Sequence, residues 1–217
     1  MMASLNKVFN QHLYVEGPTD KHVTLALCQR MSVPETFDVI DESGISTLLD
    51  NMRIRIKGTG NTKTIGIIID ADDNLTARWE QIKTILHNSH KYANIPNIIP
   101  EDGLILPPVQ PDDIKIGVWM MPNNNLNGML EDFMIELIPD EDDLLPLVDR
   151  VLENIERTEQ NRYNISHHSK ARIHTWLAWQ EFPGTPLGLA VTKHYFETRP
   201  IICQKFTTWL NRLFNSD

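Results

Sequence analysis

The chain has 217 residues, of which 41% are hydrophobic and 23% are charged, and its formal net charge is -9 at pH 7. This is the composition of a globular domain with enough apolar material for a substantial core. The negative charge argues against a generic nucleic-acid-binding protein, in which Lys and Arg predominate. It does not exclude a nuclease, because bound divalent cations offset the acidic residues of a metal site.

The sequence predicts a soluble, cytoplasmic protein. Two cysteines, Cys28 and Cys203, lie far apart and lack metal-ligand spacing, which favours a reducing compartment without a disulfide framework. The N-terminal sequence lacks the apolar core of a signal peptide. No stretch reaches the roughly 18 apolar residues that a membrane-spanning helix requires, so we expect no membrane contact.

The first half of the chain alternates predicted strands and helices. The run 64–70 is a continuous β-branched segment, typical of a strand buried on both faces of a parallel sheet. Amphipathic spacing predicts a helix over 76–86. Thr19 or Asp20 is predicted to cap the first helix. The further predictions are strands at 12–16 and 37–40 and a helix at 45–56.

The second half becomes helical after a proline-rich stretch. Strands are predicted at 104–106 and 114–121, and helices at 129–138, 142–156, 169–180 and 201–214. The whole pattern predicts an α/β fold with a mostly parallel, Rossmann-like sheet flanked by helices. We expect an α/β core over 1–125 and a helical C-terminal part over 126–217, packed together as one unit.

Two predicted strands end in acidic residues. The first runs into Glu16, with Asp20 four residues later, and the other runs into Asp70, Asp72 and Asp73. The carboxyl ends of parallel strands meet at one edge of a sheet, where ligands bind in such folds. We therefore expect these carboxylates to converge.

Carboxylates at this edge favour a magnesium or manganese site. Mg²⁺ prefers hard oxygen ligands and is commonly held by a few carboxylates, water and substrate phosphate. Glu16 is long enough to serve as a ligand or as a proton carrier. Two such metals activate water and stabilise the leaving oxygen of a phosphodiester. Each segment alone favours a turn or helix cap, but their joint occurrence favours a metal site.

The two acidic segments also carry a family resemblance. They are Leu13-Tyr14-Val15-Glu16-Gly17-x-x-Asp20 and Ile67-Ile68-Ile69-Asp70-Ala71-Asp72. Together they resemble the Toprim domain, which is shared by topoisomerases, bacterial primases, small ribonucleases and the overcoming-lysogenisation-defect nucleases. The resemblance covers about the first half of the chain. It implies that Glu16 matches the family's invariant glutamate and that Asp70 and Asp72 match its Asp-x-Asp pair. It also implies that Asp20 matches an acidic residue typical of the nuclease branch.

The later sequence is similar to small stand-alone bacterial Toprim-related proteins described as of unknown function. The matching residues are Trp119-Met120-Met121-Pro122-Asn123, Gly128-Met129-Leu130-Glu131-Asp132-Phe133, Lys170 and His174-Thr175-Trp176-Leu177-Ala178. This resemblance is closer than that to any enzyme of known reaction, which limits what it implies about function.

Four further residues have two interpretations each. Glu131 and Asp132 are either additional metal ligands or an acidic first helical turn, and the resemblance favours a functional role for Glu131. Lys170 and His174 share a helix face. In the lysogenisation-defect nucleases a later lysine stabilises the charged transition state, and Lys170 is the positional candidate. For His174 a solvated helix end is favoured.

Other motifs are weaker. Trp176 and Trp179 are predicted to be core residues rather than a base-stacking platform. The run Asp140 to Asp143 predicts a polar helix start. The histidines do not have the spacing of a zinc site. The segment 58–64 departs from the P-loop pattern and predicts a flexible turn, so we expect no ATPase in this chain.

The sequence thus predicts a magnesium-dependent phosphodiester hydrolase acting on DNA or RNA. Glu16 and Lys170 are the expected catalytic residues, and Asp73, Glu131 and His174 are auxiliary. The alternative is a non-catalytic or conditionally active module that docks on a partner protein such as an ATPase. Phosphate chemistry on small nucleotides is a third possibility. The sequence leaves the oligomeric state open.

Overall fold

A computed structural model describes residues 9–58 and 60–216. It confirms the predicted α/β class: a five-stranded, mostly parallel sheet is flanked by helices in a Rossmann-like arrangement. The strands are β1 (Gln11–Val15), β2 (Asp38–Asp41), β3 (Thr64–Asp70), β4 (Leu104–Leu106) and β5 (Lys115–Met121). The α-helices are α1 (Pro18–Arg30), α2 (Ile45–Arg55), α3 (Leu75–Ser89), α4 (Leu130–Ile135), α5 (Leu145–Arg157), α6 (His168–Ala178), α7 (Leu187–Thr192) and α8 (Ile201–Phe214).

The strand order creates a crevice in the middle of the sheet. The order is β2-β1-β3-β5-β4, and all neighbouring pairs are parallel except β4 with β5. After β1 the chain continues to β2 on one side, and it then returns to place β3 on the other side of β1. The carboxyl ends of β1 and β3 therefore flank a topological switch point, where open α/β sheets bind their ligands.

Alternating residues of β3 supply two separate cores. Ile68 packs into the core on one face of the sheet together with α1 and the helices from α4 to α8. Ile65, Ile67 and Ile69 pack on the opposite face with α2 and α3. A strand buried on both faces explains the unbroken apolar run, and it fixes the strand register that places Asp70 at the sheet edge.

Helix α8 lies directly on two neighbouring glycines of the sheet. Gly66 and Gly117 are register partners in β3 and β5. A Cβ atom on Gly66 would lie 2.8 Å from Phe214 Cζ, and one on Gly117 would lie 2.5 Å from Leu213 Cδ2. Absence of side chains at these two positions therefore allows the last helix to approach the sheet closely.

Most predicted elements are present, with four differences. Helix α7 and the short 3-10 helix Ile165–His167 were not predicted. The predicted cap of α1 is wrong, because Gly17 is the N-cap and Asp20 lies within the first turn. Trp176 is buried as predicted, whereas Trp179 is exposed because it follows the last residue of α6.

The acidic run 140–143 directly precedes α5, whose N-cap is Leu144, which agrees with the predicted polar helix start. Asp142 Oδ1 accepts hydrogen bonds from the backbone N–H groups of Leu144 and Leu145, at 3.0 Å and 2.7 Å. The same oxygen accepts a bond from Trp176 Nε1 at 3.0 Å. This aspartate therefore stabilises the beginning of α5 and joins it to α6.

Some predictions remain as they were. The boundary between 1–125 and 126–217 stays a prediction, and residues 1–8 and 217 at its ends lie outside the described residues. Thr59, within the predicted turn 58–64, also lies outside them. Among the residues described, no helix has the length and apolar character needed to cross a membrane. The cytoplasmic location stays a prediction.

Candidate metal centre

The first two carboxylates meet across the switch point. Glu16 directly follows β1, and Asp70 is the last residue of the adjacent strand β3. The backbone N–H of Asp70 donates a hydrogen bond to Glu16 Oε1, at 2.8 Å. This bond turns the Glu16 side chain across the crevice towards β3.

Asp20 reaches the same crevice from the first turn of α1. Pro18 begins this helix, with its ring fixing a backbone angle suitable for a first helical residue, and Gly17 precedes it as the N-cap. Burial and, to a lesser extent, the negative charge of Glu131 together raise the pKa of Asp20 to about 6. Asp20 therefore lies within electrostatic reach of a carboxylate that is far away in sequence.

Glu131 comes from the other half of the chain. The backbone N–H of Leu130 donates to Asp70 Oδ1 at 3.0 Å, which joins the start of α4 to the end of β3. Glu131, the next residue, is only 5% exposed. Its Oε1 lies 3.4 Å from Lys170 Nζ, in an ion pair between α4 and α6. The α4–α6 contact thus brings a buried carboxylate and a lysine to the crevice.

The electrostatic consequence is largest at Asp70. Burial raises its pKa well above the ordinary value, and the charges of Glu16, Asp20, Glu131 and Asp72 raise it further. Burial likewise raises the pKa of Glu16 to about 7, and the N–H bond from Asp70 only partly offsets that rise. We call Glu16, Asp20, Asp70 and Glu131 the carboxylate cluster. These four groups compete for charge compensation in a partly dehydrated space.

Asp72 lies beside the cluster in an unusual backbone conformation. Its φ of 50° is left-handed, which aspartate tolerates better than most residues. Two backbone hydrogen bonds of 2.8 Å, one in each direction, join Asp72 to Gly128. Its carboxylate forms an ion pair with Arg78 of α3. The side chain of Asp73 is exposed, so it contributes less to the cluster than Asp72 does.

Gly128 is required at the point where the two loops meet. Its φ of +139° is in the region that side chains disfavour, and a Cβ atom there would lie 2.6 Å from Asp132 Oδ2. Asp132 uses that oxygen to accept the backbone N–H of Met129 at 2.8 Å. Its other oxygen accepts a hydrogen bond from Ser169. Asp132 therefore caps α4 and binds α6, while the preceding residue, Glu131, belongs to the carboxylate cluster.

Arg78 is the residue that sequence reasoning missed. Its guanidinium pairs with Asp72, and its positive charge lowers the pKa of Glu16 against the effect of burial. Its Nε is buried and has no hydrogen-bond partner among the described atoms. An arginine inside an amphipathic helix is ordinarily a solvated residue, so only the distance between the start of α3 and the end of β3 could have indicated this role.

Lys170 and His174 are separated by the structure. Lys170 is half exposed and pairs with Glu131, so its ammonium group lies at the edge of the cluster. His174 lies one turn further along α6, where it lines a different cavity beside α1. The structure therefore brings Lys170 to the carboxylates and places His174 in the neighbouring cavity.

The cluster offers suitable ligand atoms without a finished ligand geometry. In the described part of the chain, no three His, Cys, Asp or Glu side chains are arranged as they stand to hold a metal ion. The reason is visible in the contacts, because Asp72 is paired with Arg78 while Glu16 and Asp70 accept backbone hydrogen bonds. The donor chemistry nevertheless fits Mg²⁺, since hard carboxylate oxygens outnumber nearby cations. A side-chain rotation of Asp72 away from Arg78 would free another oxygen.

Comparison with known proteins gives a family without an assigned reaction. A family model described as a protein of unknown function (DUF3226) matches residues 10–215. No curated protein and no solved structure matches the chain. The reaction therefore has to be inferred from the residues themselves, and the likeness to the Toprim domain stays a prediction.

Proposed function

Because the chain belongs to the DUF3226 family of proteins of unknown function, we propose from its own residues that it is a Toprim-type, magnesium-dependent phosphodiester hydrolase. Its proposed substrate is DNA or RNA, and Mn²⁺ is an alternative to Mg²⁺. The proposal extends the Toprim resemblance of the strand ends at Glu16 and Asp70 to the cation and the reaction.

One observation carries this proposal. Burial raises the pKa values of Glu16, Asp20 and Asp70, and each of these groups also feels the negative charge of another. Without a cation, these carboxyl groups would either be protonated or repel one another as carboxylates. Neither state would stabilise the fold. A divalent cation at this edge removes that repulsion, and the switch point is the position where α/β sheets bind ligands.

The residues have distinct proposed roles. Asp20, Asp70 and Asp72 supply oxygen ligands, together with Glu16. Glu16 is also the proposed proton carrier, since its pKa of about 7 allows it to hold or release a proton near neutral pH. Bound Mg²⁺ would supply positive charge to a phosphate and lower the pKa of a coordinated water.

Lys170 is proposed to stabilise developing phosphate charge. Its ammonium group lies 3.4 Å from Glu131 Oε1, and half of the side chain is exposed, so it is both held in place and open to a substrate. A fixed cation in a partly dehydrated site acts electrostatically, without a proton transfer. Glu131 is an auxiliary residue that positions this lysine.

The test is nucleic-acid cleavage by the full chain with Mg²⁺ or Mn²⁺. Glu16→Gln and Asp70→Asn are expected to lower the rate at least ~100-fold, as is typical for loss of a general base or a metal ligand. Chelation by EDTA should have the same effect. Glu153→Gln, on an exposed face of α5, is the matched control and should cleave normally. Intact DNA and RNA with both metals would contradict the proposal.

A second candidate is a conditionally active module that docks on a partner protein such as an ATPase. The observation that favours it is the ion pair between Asp72 and Arg78, which occupies a proposed ligand. Under this alternative the chain alone binds Mn²⁺ weakly, and Arg78→Gln tightens that binding. Equal Mn²⁺ affinity in the two proteins, measured by titration of the metal alone, would count against it.

A further inference from the structure

A groove runs along α1, beside the carboxylate cluster and outside it. Its volume is about 670 Å³, which is within the size range of small-molecule sites. Helices α1, α6 and α7 contribute most of its lining, which combines apolar walls with imidazole, hydroxyl, amide and carboxylate groups. Its lining includes Thr19, His22, Leu25, His174, Leu187 and Leu189.

The groove has a rigid floor. Helix α7 packs so closely on α1 that a Cβ atom on Gly188 would lie 2.8 Å from the backbone carbon of His22. Ala26 and Leu187 are buried beneath the groove. The floor of the groove is therefore formed by the packed contact between α1 and α7.

One end of the groove lies near the proposed active site, since the positive charge of Lys170 acts on Asp20 and both residues have a near neighbour in the groove lining. Thr19 lines it and directly precedes Asp20 of the cluster. His174 lines it from α6, four residues, or about 6 Å of rise, beyond Lys170 on the same face. A substrate phosphate near Lys170 would thus place its neighbouring group at the mouth of this groove.

The lining fits a flat, partly apolar ligand with polar edges. Leu25 and Leu189 are 42% and 48% exposed, and they provide apolar contact surface on opposite helices. The imidazoles of His22 and His174 can stack on an aromatic ring or donate a hydrogen bond to its edge. A partner helix would require a longer row of apolar anchors than these two leucines, whereas a nucleobase requires one apolar slot with polar groups around it.

We propose that this groove binds the nucleobase of the nucleotide next to the scissile phosphate. This inference rests on the proposed function and adds the contact that distinguishes a nucleic acid from other phosphodiesters. His22 and His174 are the polar contacts of the base, and Leu25 and Leu189 form its apolar slot.

The first test is binding of uncharged nucleosides to the full chain in EDTA, by saturation-transfer NMR. Adenosine and thymidine should bind, and ribose should not. Leu189→Asp should weaken nucleoside binding at least ~10-fold, because it places a charge in the apolar slot. Leu147→Asp is the matched control, since Leu147 is 41% exposed on α5, away from the groove. Equal weakening in both variants, or no nucleoside binding, would overturn the inference.

The second test separates the groove from the reaction. Thymidine 3′- and 5′-p-nitrophenyl phosphates share a leaving group with methyl p-nitrophenyl phosphate, which lacks a base. With Mn²⁺, Leu189→Asp should lower kcat/KM about 10-fold for a thymidine ester and leave the methyl ester unchanged. Equal loss on all esters would overturn the groove assignment alone. Absence of hydrolysis of every ester would overturn the proposed function, and the nucleoside titration would then decide the groove's ligand by itself.

Discussion

Strand β3 contributes to two regions of the sheet that differ in character, a charged edge and an apolar middle. At its carboxyl edge, β3 ends in Asp70, which lies beside other carboxylates and accepts a backbone hydrogen bond. In its middle, the same strand has Gly66, where α8 packs without any intervening side chain. One region concentrates like charges and the other concentrates apolar contacts.

The contrast indicates where stability comes from. Close-packed apolar surface is the main favourable term in folding, and the α8 contact supplies it on one face of the sheet. Buried like charges oppose folding unless they are protonated or compensated. We infer that apolar packing in the middle of the sheet offsets the free-energy cost of the charged edge. A change in pH should therefore affect the edge, and a change in side-chain volume should affect the middle.

The largest expected effect is on the pH dependence of the stability of the metal-free protein. The charged edge should make the folded chain more stable at lower pH. Burial raises the pKa of Glu16 from 4.5 to about 7, so the folded chain holds a proton that the unfolded chain has released. Stability should therefore increase as pH falls from 7 to 4.5, and the full cost should persist above pH 7. The cost of this shift is on the order of 3 kcal/mol.

Urea unfolding in EDTA at pH 5 and pH 8 measures this linkage. Glu16→Gln removes the titrating group and keeps an oxygen that accepts the Asp70 N–H, so it should be stabilised at pH 8 relative to the unmodified chain and much less at pH 5. Glu153→Gln controls for the general effect of losing one exposed carboxylate. An unchanged difference between the two pH values in Glu16→Gln would contradict the assignment of charge strain to the cluster.

The next largest effect is expected at the packed middle of the sheet. Gly66→Ala places a methyl group 2.7 Å from Leu13 Cδ1 and 2.8 Å from Phe214 Cζ, so both side chains or α8 must shift. We expect a loss of about 2 kcal/mol, within the range for overpacked cores. Gly60→Ala, where nothing lies within 4 Å of the added atom, is the control and should unfold like the parent. A loss at Gly66 that changes with pH would contradict the separation of the two regions.

The sequence predicted the strand ends because their physics is local. A β-branched run ending in Asp70 and a Gly-Pro turn after Glu16 define two parallel strands, and parallel strands place their ends together. The spacing after these strands also indicated Asp20 and Asp72, and the Toprim resemblance matched the same residues. These residues lie within two segments, so their meeting requires only that the two strands be neighbours.

Contacts between distant helices could not be predicted in the same way. Even the ion pair between Arg78 and Asp72, which are six residues apart, depends on the turn between β3 and α3, where Asp72 has a left-handed backbone. Helix α7 has six residues, too few for a helical period to be recognised, and the groove beside His22 depends on it. The positions of these polar groups therefore depend on packing that a single sequence does not reveal.

The smallest effect is expected for the two buried cysteines, which lie in the apolar core and away from the carboxylate cluster. Cys28 and Cys203 are buried in the same apolar core, and burial raises the pKa of their thiols to about 12 and about 11. Because the thiolate is the reactive form, neither should react with a thiol reagent such as 5,5′-dithiobis(2-nitrobenzoate) in the native protein at pH 8. Both should react after unfolding in guanidinium chloride, with Cys28→Ala reporting one thiol.

In Gly66→Ala, which loosens the same core, reaction should become measurable through transient opening. A thiol that reacts at once in the native chain would show that this face of the sheet is not the packed region inferred from α8.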